Sequence, residues 1–147
     1  MVQFIQMKKA TTRETWRGTN QARRFVMEEI IARLKDPNAD VRWKAVIDLG
    51  EFGDVRAVEP LIARLKDPNA DVRCASVRAL KEIGKDRAVE PLIPLLEDSD
   101  AYVRRMTVLA LGTLGDMRVF DALIPLLEDS RGDVRWAARW ALGSLKK

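Results

Sequence analysis

Few residues of this chain could carry out acid–base or nucleophilic chemistry. The 147 residues include no histidine and a single cysteine, Cys74. Histidine-based proton transfer, nucleophile–histidine pairs and the usual zinc sites all need residues that the chain lacks. Arg78 follows Cys74 by one helical turn, and a neighbouring cation can make a thiol reactive by lowering its pKa. A lone cysteine without a base is more often incidental, so we predict a protein that is not an enzyme and uses no cofactor or metal.

Arginine and aspartate recur instead at a fixed interval. The two sets, each spaced by 31 residues, are Arg42, Arg73, Arg104 and Arg135, and Asp36, Asp67, Asp98 and Asp129. The fork of an arginine side chain can bond carboxylates or carbonyls at the turns of its own or the next repeat. A catalytic or phosphate-binding site would not need four copies at one pitch. We therefore expect these residues to form a structural ladder.

The same interval of 31 residues governs the whole sequence. The segment IARLKDPNADVR at Ile31–Arg42 recurs unchanged at Ile62–Arg73, and AVEPLI at Ala57–Ile62 recurs at Ala88–Ile93. Such a period predicts a stack of repeats that bury a continuous core. We place the repeats at residues 26–56, 57–87, 88–118 and 119–147, after a basic N-terminal extension, residues 1–25. The extension holds six basic residues and one acidic residue.

Each repeat has the apolar periodicity of two helices. We expect the first helix of the chain to be capped by Thr19 or Asn20, and Pro60 and Pro91 to lie near helix starts, where a missing N–H costs little. The first-helix stripe is Met27, Ile30, Ile31 and Leu34, repeated as Val58, Leu61, Ile62, Leu65, then Val89, Leu92, Ile93, Leu96, then Phe120, Leu123, Ile124, Leu127.

The second helices are predicted to start near Val41, Val72, Val103 and Val134, with caps from the Asp-Pro-Asn and Asp-Ser turns before them. Gly53, Gly84 and Gly115 should end the first three. Their predicted core stripe is residues 41, 45, 48, 49 and 52 with their counterparts in each repeat. Arg139 replaces the valine of Val46, Val77 and Val108, and Asp48 replaces an alanine, as expected of terminal repeats that need a polar outer face.

Four rows of second-helix residues are predicted to lie opposite this core. They are Trp43/Cys74/Arg105/Trp136, Lys44/Ala75/Met106/Ala137, Ile47/Arg78/Leu109/Trp140 and Glu51/Glu82/Thr113/Ser144. Exposed Trp, Met and Arg are typical of interaction hot spots. The alternative is that these side chains pack against the N-terminal extension or a tightly curved inner surface.

The unit AVEPLI-x-LL-x-D-x(4)-VR-x(3)-AL-x-x-G-D resembles the HEAT-like repeat of phycobilin lyases and many prokaryotic helical-repeat proteins. The resemblance covers residues 26–147 and implies an all-α, right-handed α-solenoid of four two-helix repeats, with the second helices lining its concave side. Iron-binding relatives that hydroxylate deoxyhypusine use His-Glu pairs, which this chain cannot form. The lyase resemblance is confined to structural positions and transfers no activity.

These patterns predict a cytoplasmic, non-enzymatic scaffold that binds a protein partner in its concave groove. The expected partner-binding residues are Trp43, Lys44, Ile47, Arg78, Arg105, Met106, Leu109, Trp136 and Trp140. Three alternatives remain open: nucleic-acid binding through the basic extension and groove cations, an accessory lyase-like subunit, and a homodimer through the C-terminal repeat. No apolar run approaches the roughly 20 residues of a membrane span, and no secretion signal is evident.

Overall fold

The structure, a computed structural model, describes residues 19–145, and over that range it contains eight α-helices and no strand. The helices are α1 (Asn20–Arg33), α2 (Ala39–Phe52), α3 (Val58–Arg64), α4 (Ala70–Ile83), α5 (Asp86–Leu92), α6 (Ala101–Leu114), α7 (Phe120–Leu123) and α8 (Gly132–Leu145). Short 3₁₀ turns span Val55–Ala57, Ile93–Glu97, Met117–Val119 and Ile124–Glu128. Odd-numbered first helices alternate with even-numbered second helices. This is the all-helical solenoid that the sequence predicts.

The second helices form the spine of the stack. Contacts run from α2 to α4, from α4 to α6 and from α6 to α8, while each first helix packs on the second helix that follows it. Leu49, Leu80 and Leu111 are fully buried between these layers. The buried hydroxyl of Ser76 donates to the carbonyl of Val72 at 2.8 Å, so a polar group is accommodated in the core without loss of its hydrogen bond. The predicted core stripe of the second helices is confirmed except at Val41, which is half-buried and lies outside the core cluster.

In the first-helix stripe, Ile124 is the exception, since 44% of it is exposed. Pro125 lacks the N–H that would continue α7, and the chain passes into a 3₁₀ turn at Ile124. Pro94 ends α5 in the same way. Ile93 begins the same kind of turn in the preceding repeat and is half-buried, so the turn alone does not expose Ile124; the described residues contain no further first helix to pack beside α7.

Helix starts are set by side-chain caps. Thr19 caps α1 and accepts from the N–H of Ala22 at 3.3 Å, as predicted. The second helices begin two residues before the predicted valines, because Asn38, Asn69 and Asp100 each accept from the backbone N–H two residues further on. In the third repeat the cap is therefore Asp100 rather than the predicted Asp98-Ser99 turn.

The first three second helices end at Gly53, Gly84 and Gly115, as predicted, but the three glycines differ in conformation. Gly53 and Gly115 adopt left-handed conformations, with φ of 70° and 72°. Gly84 is right-handed, and Lys85 has the positive φ, 45°. Helix α5 begins directly afterwards, at Asp86, so Pro91 lies inside it near its end and not near its start. Pro60 is the third residue of α3, within the first turn, as predicted.

Candidate functional site

An arginine of each second helix joins its repeat to the next. Arg42 Nε and Nη2 donate to Asp67 Oδ2 and Oδ1 at 2.8 and 2.9 Å. Arg42 Nη1 donates to the carbonyls of Asp36 and Pro37 at 2.8 and 3.0 Å. The same bidentate pattern links Arg73 to Asp98 and Arg104 to Asp129. We call these three bridges the inter-repeat ladder, and they confirm the predicted structural role.

Two carboxylates of the ladder, those of Asp67 and Asp129, have a lowered pKa and are held in their charged form. Burial raises the pKa of Asp67, but hydrogen bonds from Arg42 and from the N–H of Asn69 outweigh it, and the pKa lies below its usual value. The hydrogen bond from Arg104 likewise lowers the pKa of Asp129 despite its burial. Ionised, fully bonded carboxylates are poor proton donors, so the ladder offers no acid–base site.

The surface formed by the outer side chains of α2, α4, α6 and α8, here the second-helix surface, is the candidate site. In one of its rows Arg78 and Trp140 are exposed and alternate along the stack with Ile47 and Leu109, which are half-buried. Glu51, Glu82 and Thr113 form an exposed row one turn further along these helices. Both rows lie on the outside of the helices, as the sequence predicts.

The other two predicted rows face sideways, toward neighbouring second helices. Cys74 and Ala75 are 6% and 4% exposed and Ala137 is fully buried, so the prediction that these rows face outward is wrong for them. Each inner second helix packs between two others. These contacts bury more of its surface than the sequence-based prediction assumed. Arg105 and Met106 are half-buried for the same reason.

Large side chains in these sideways rows still reach the surface. Trp43 and Trp136 are 43% and 55% exposed, and Lys44 is exposed beside Trp43. Trp43 forms one wall of a pocket of about 350 Å³ at the N-terminal ends of α2 and α4, completed by Ala39, Asp40, Asn69 and Asp71.

The first turns of the second helices add an acidic row that the sequence reasoning missed. Asp40, Asp71 and Asp133 are exposed there, and Tyr102, also exposed, occupies the third place of the row, in α6. The signal was present, since each residue precedes the valine that starts the predicted core stripe. A helix that begins at the valine, as the sequence predicts, leaves the preceding aspartate outside the helix, whereas the observed helices begin two residues before the valine and include it.

The cations of the surface are unequally engaged. Lys44 forms an ion pair with Asp48, whose carboxylate also lies 3.5 Å from Arg33. Arg78 is exposed and forms no ion pair with any residue between 19 and 145. The Nε of Arg105 is buried and has no hydrogen-bond partner in the described range. Arg78 is thus the cation most available to a ligand.

Cys74 does not form a reactive thiol. Burial raises its pKa to about 11, and the charge of Arg78 lowers it by less than burial raises it. The thiolate is the nucleophile, so this cysteine is inert at neutral pH. The helix packing removes the thiol from water, which agrees with the expectation that a lone cysteine without a base is incidental.

Two further kinds of feature are absent between residues 19 and 145. No group of three or more Cys, Asp or Glu side chains is arranged to hold a metal ion there. None of the helices in that range combines the length and apolar character needed to cross a membrane.

Comparison with known proteins places the chain by its repeats. The sequence profile of HEAT repeats matches residues 27–98 and 89–147. No curated protein matches the chain.

Solved structures share the fold at low sequence identity. The chain is similar to phycocyanin lyase in the CpcE–CpcF complex from Nostoc sp. PCC7120, with a TM-score of 0.72, 23% identity, and coverage of 96% of this chain and 63% of that one. It is similar to a designed armadillo repeat protein solved with the peptide (KR)4, with a TM-score of 0.66, 17% identity, and coverage of 96% and 80%. An engineered protein is also similar, with a TM-score of 0.63, 19% identity, and coverage of 97% and 77%.

Proposed function

The chain belongs to the HEAT-repeat family, and on that premise we propose that it is a non-enzymatic scaffold that binds a partner protein along the second-helix surface. The partner would dock as a helix or loop in the groove that these helices form. The observation that carries the proposal is the exposure of three tryptophans on the second-helix surface, Trp43 on its first helix, α2, and Trp136 and Trp140 on its last, α8.

Exposed aromatic side chains are concentrated on this surface. Four of the eight large exposed hydrophobic residues between 19 and 145 lie on the second helices: Trp43, Tyr102, Trp136 and Trp140. Tryptophan and tyrosine bury a large area for few lost rotamers and are enriched among residues that dominate binding energy. A solvated face needs no such residues, so a protein partner accounts for them better.

The remaining site residues supply shape and orientation. Ile47, Met106 and Leu109 are half-buried and would form the apolar floor between the tryptophans. Arg78, which is exposed, would orient the partner through a carboxylate or carbonyl, with Arg105 and Lys44 in supporting positions. The designed armadillo neighbour was solved with a peptide, which supports this mode of docking on stacked helices.

Nucleic-acid binding is the second candidate, and the charges of the surface disfavour it. Of the six cations in the extension, those at positions 1–18 lie outside the described residues. Arg23 lies 4.9 Å from the ring centre of Phe52, and Arg24 pairs with Glu28 at 3.1 Å. The acidic row Asp40, Asp71 and Asp133 would repel phosphates along the second-helix surface. The accessory-subunit alternative rests on the phycocyanin lyase neighbour alone.

The test compares two triple variants that each truncate three exposed apolar side chains. The first is Trp43→Ala, Trp136→Ala and Trp140→Ala. The control is Val55→Ala, Met117→Ala and Ile124→Ala, which removes side chains exposed elsewhere on the stack. Each protein is used as bait in native lysate, and the bound protein is then purified and titrated by calorimetry. We expect the wild type and the control to bind equally, and the tryptophan variant to bind at least about 100-fold more weakly, since each hot-spot residue is worth about 2 kcal/mol or more.

Equal affinity of all three proteins for every captured partner would remove the tryptophans from the site. Binding that falls steeply with salt and is lost when residues 1–25 are deleted would instead support the nucleic-acid alternative. Circular dichroism melting of each variant verifies that the fold is intact.

A further inference from the structure

The inter-repeat ladder ends at Arg135, an arginine without a carboxylate partner among the described residues. Arg135 occupies the ladder position of α8, and its Nη1 donates to the carbonyls of Asp129 and Ser130 at 2.7 and 3.2 Å. These are the same two bonds that fix the guanidinium of Arg42, Arg73 and Arg104. The Nε and Nη2 atoms, which in those residues hold the next aspartate, meet no carboxylate between residues 19 and 145.

The opposite end of the stack presents the aspartate of the ladder, Asp36, without an arginine partner among the described residues. Asp36 Oδ1 accepts the N–H of Asn38 at 2.8 Å. Asp67 and Asp98 accept the equivalent N–H at 3.0 and 2.9 Å while they also hold their arginines. Asp36 is half-buried, and no arginine of the described chain donates to its carboxylate. Its side chain is therefore already fixed in the orientation that an arginine requires.

The open side of α8 has the shape of an inter-repeat contact. A Cβ atom at Gly50 would lie 3.2 Å from the Cβ of Ala79, and one at Gly112 would lie 2.7 Å from that of Ala141, so each glycine admits the next second helix. Gly143 holds the same position in α8 and would meet nothing within 4 Å. The register of these contacts places Asp48 of a following copy opposite Gly143, where the missing side chain leaves room for a carboxylate.

Trp136 is compatible with a following repeat. It occupies the position in α8 that Trp43 occupies in α2, and Trp43 is accommodated beside Asn69 and Asp71 at the start of the next second helix. In the same register, Trp136 would lie beside Asn38 and Asp40 at the start of α2 of the next copy.

We propose that copies of this chain stack head to tail, with Arg135 of one copy making a bidentate bridge to Asp36 of the next. The junction continues the inter-repeat ladder and the second-helix surface from one molecule to another. The two contacting surfaces differ, so the assembly is an open chain of molecules rather than a closed symmetric dimer. Arg139 and Asp48 replace the valine and alanine of the interior contacts, so the junction is more polar than those contacts. Association is therefore reversible and is weakened by salt.

The test uses the full chain and two variants that each disable one end. Asp36→Asn keeps an oxygen for the N–H of Asn38 but removes the charge, and Arg135→Gln removes the guanidinium. Sedimentation equilibrium at low salt should show the wild type increasing in mass with concentration, through two and then more multiples of 16.7 kDa. Each variant alone should remain at 16.7 kDa, because every junction would lack one partner.

The equimolar mixture of the two variants is the decisive sample. The intact Arg135 of the Asp36→Asn chain can bridge to the intact Asp36 of the Arg135→Gln chain, and this pair cannot grow. We expect twice the monomer mass and no larger species, a result that a loss of folding in either variant could not produce. A wild type that stays monomeric up to about 1 mM overturns the proposal, as does a mixture that remains monomeric while the wild type associates. A third result also overturns the proposal: the wild type stops at a dimer, Asp36→Asn leaves that dimer unchanged, and Trp140→Glu dissociates it. This result would show symmetric pairing of the C-terminal repeats.

Discussion

Two classes of arginine–carboxylate pairs occur in the described chain, and they differ in burial. The side chains of Arg42 and Asp67 are 10% and 0% exposed, and their bridge joins two repeats. Those of Arg87 and Glu59 are 59% and 71% exposed, and they meet at 3.0 Å on the outside. Water and salt screen an exposed pair, whereas a buried charge that loses its partner has no solvent to replace it.

At the residue scale, Asp67→Asn should therefore destabilise the protein strongly. The carboxylate of Asp67 accepts bonds from Arg42, Arg64 and the N–H of Asn69, and the amide leaves the guanidinium of Arg42 without its counter-ion. Loss of one partner of a buried pair costs about 3–5 kcal/mol. Urea unfolding at pH 7 measures this cost as a lower midpoint with an unchanged slope.

Glu59→Gln is the matched control, since it removes the acid of an exposed pair. Its urea midpoint should differ little from that of the wild type. If the two variants unfold at the same urea concentration, the ladder contributes no more to stability than a surface pair.

Residue identity in the sequence was enough to find the ladder but not the orientation of every side chain. The period places Arg42 and Asp67 in register, and both form the expected bridge. Cys74 was expected outside and is buried, because its exposure depends on how closely α4 and α6 approach. The angular positions of residues around one helix do not give the distance to the neighbouring helices or the share of the helix surface that those neighbours cover.

At the element scale, small residues set how closely the second helices approach. Gly112 of α6 faces Ala141 and the ring of Trp140 in α8, with no space for a methyl group. Gly143, at the same position in α8, faces open space. One residue type thus serves close packing in one helix and has no packing role in the next helix of the same molecule.

Substitution of these two glycines by alanine should have opposite effects. Gly112→Ala places a methyl group 2.7 Å from the Cβ of Ala141 and 3.0 Å from its Cα, so the helices must separate, at a cost of about 1–3 kcal/mol. Gly143→Ala meets nothing and should stabilise α8 by up to about 1 kcal/mol, because alanine has the higher helix propensity. Thermal melting of dilute protein measures both changes. A gain in melting temperature for Gly112→Ala would contradict the close packing of α6 and α8.

Helix number and order could be predicted from periodicity, whereas helix limits could not. Asn38 and Asn69 are good caps by type, but the helices start immediately after them and not at the first core valine. Gly84 and Gly115 occupy equivalent positions in the sequence, yet the positive φ falls on Lys85 in one repeat and on Gly115 in the other. The difference between the two repeats comes from the helix that follows, since α5 begins at Asp86 with no intervening 3₁₀ turn.

At the scale of the whole molecule, the ladder makes stability depend on pH. The pKa values of Asp67 and Asp129 lie below their usual value in the folded protein. A lowered folded-state pKa means that the unfolded chain binds protons first as pH falls. The stabilisation is therefore fully present above about pH 5 and is lost progressively below about pH 4, as the carboxylates are protonated.

Urea unfolding of the wild type and of Asp67→Asn between pH 7 and pH 2.5 tests this dependence. The wild type should be equally stable at pH 7 and pH 5 and weaken below pH 4. The difference between the two proteins should shrink over the same interval, since the variant has no carboxylate to protonate at this position. A difference that stays constant down to pH 2.5 would mean that the charge of Asp67 does not contribute.

Each bridge of the ladder spans the same length of chain, 25 residues, from Arg42 to Asp67, from Arg73 to Asp98 and from Arg104 to Asp129. An in-frame duplication of one 31-residue unit would insert a new arginine and a new aspartate at that same separation and leave every existing bridge intact. The unchanged segments Ile31–Arg42 and Ile62–Arg73 are where unequal recombination between gene copies would align. The protein can therefore lengthen or shorten by whole units without any compensating mutation in its core, while the outward-facing residues of each unit remain free to diverge.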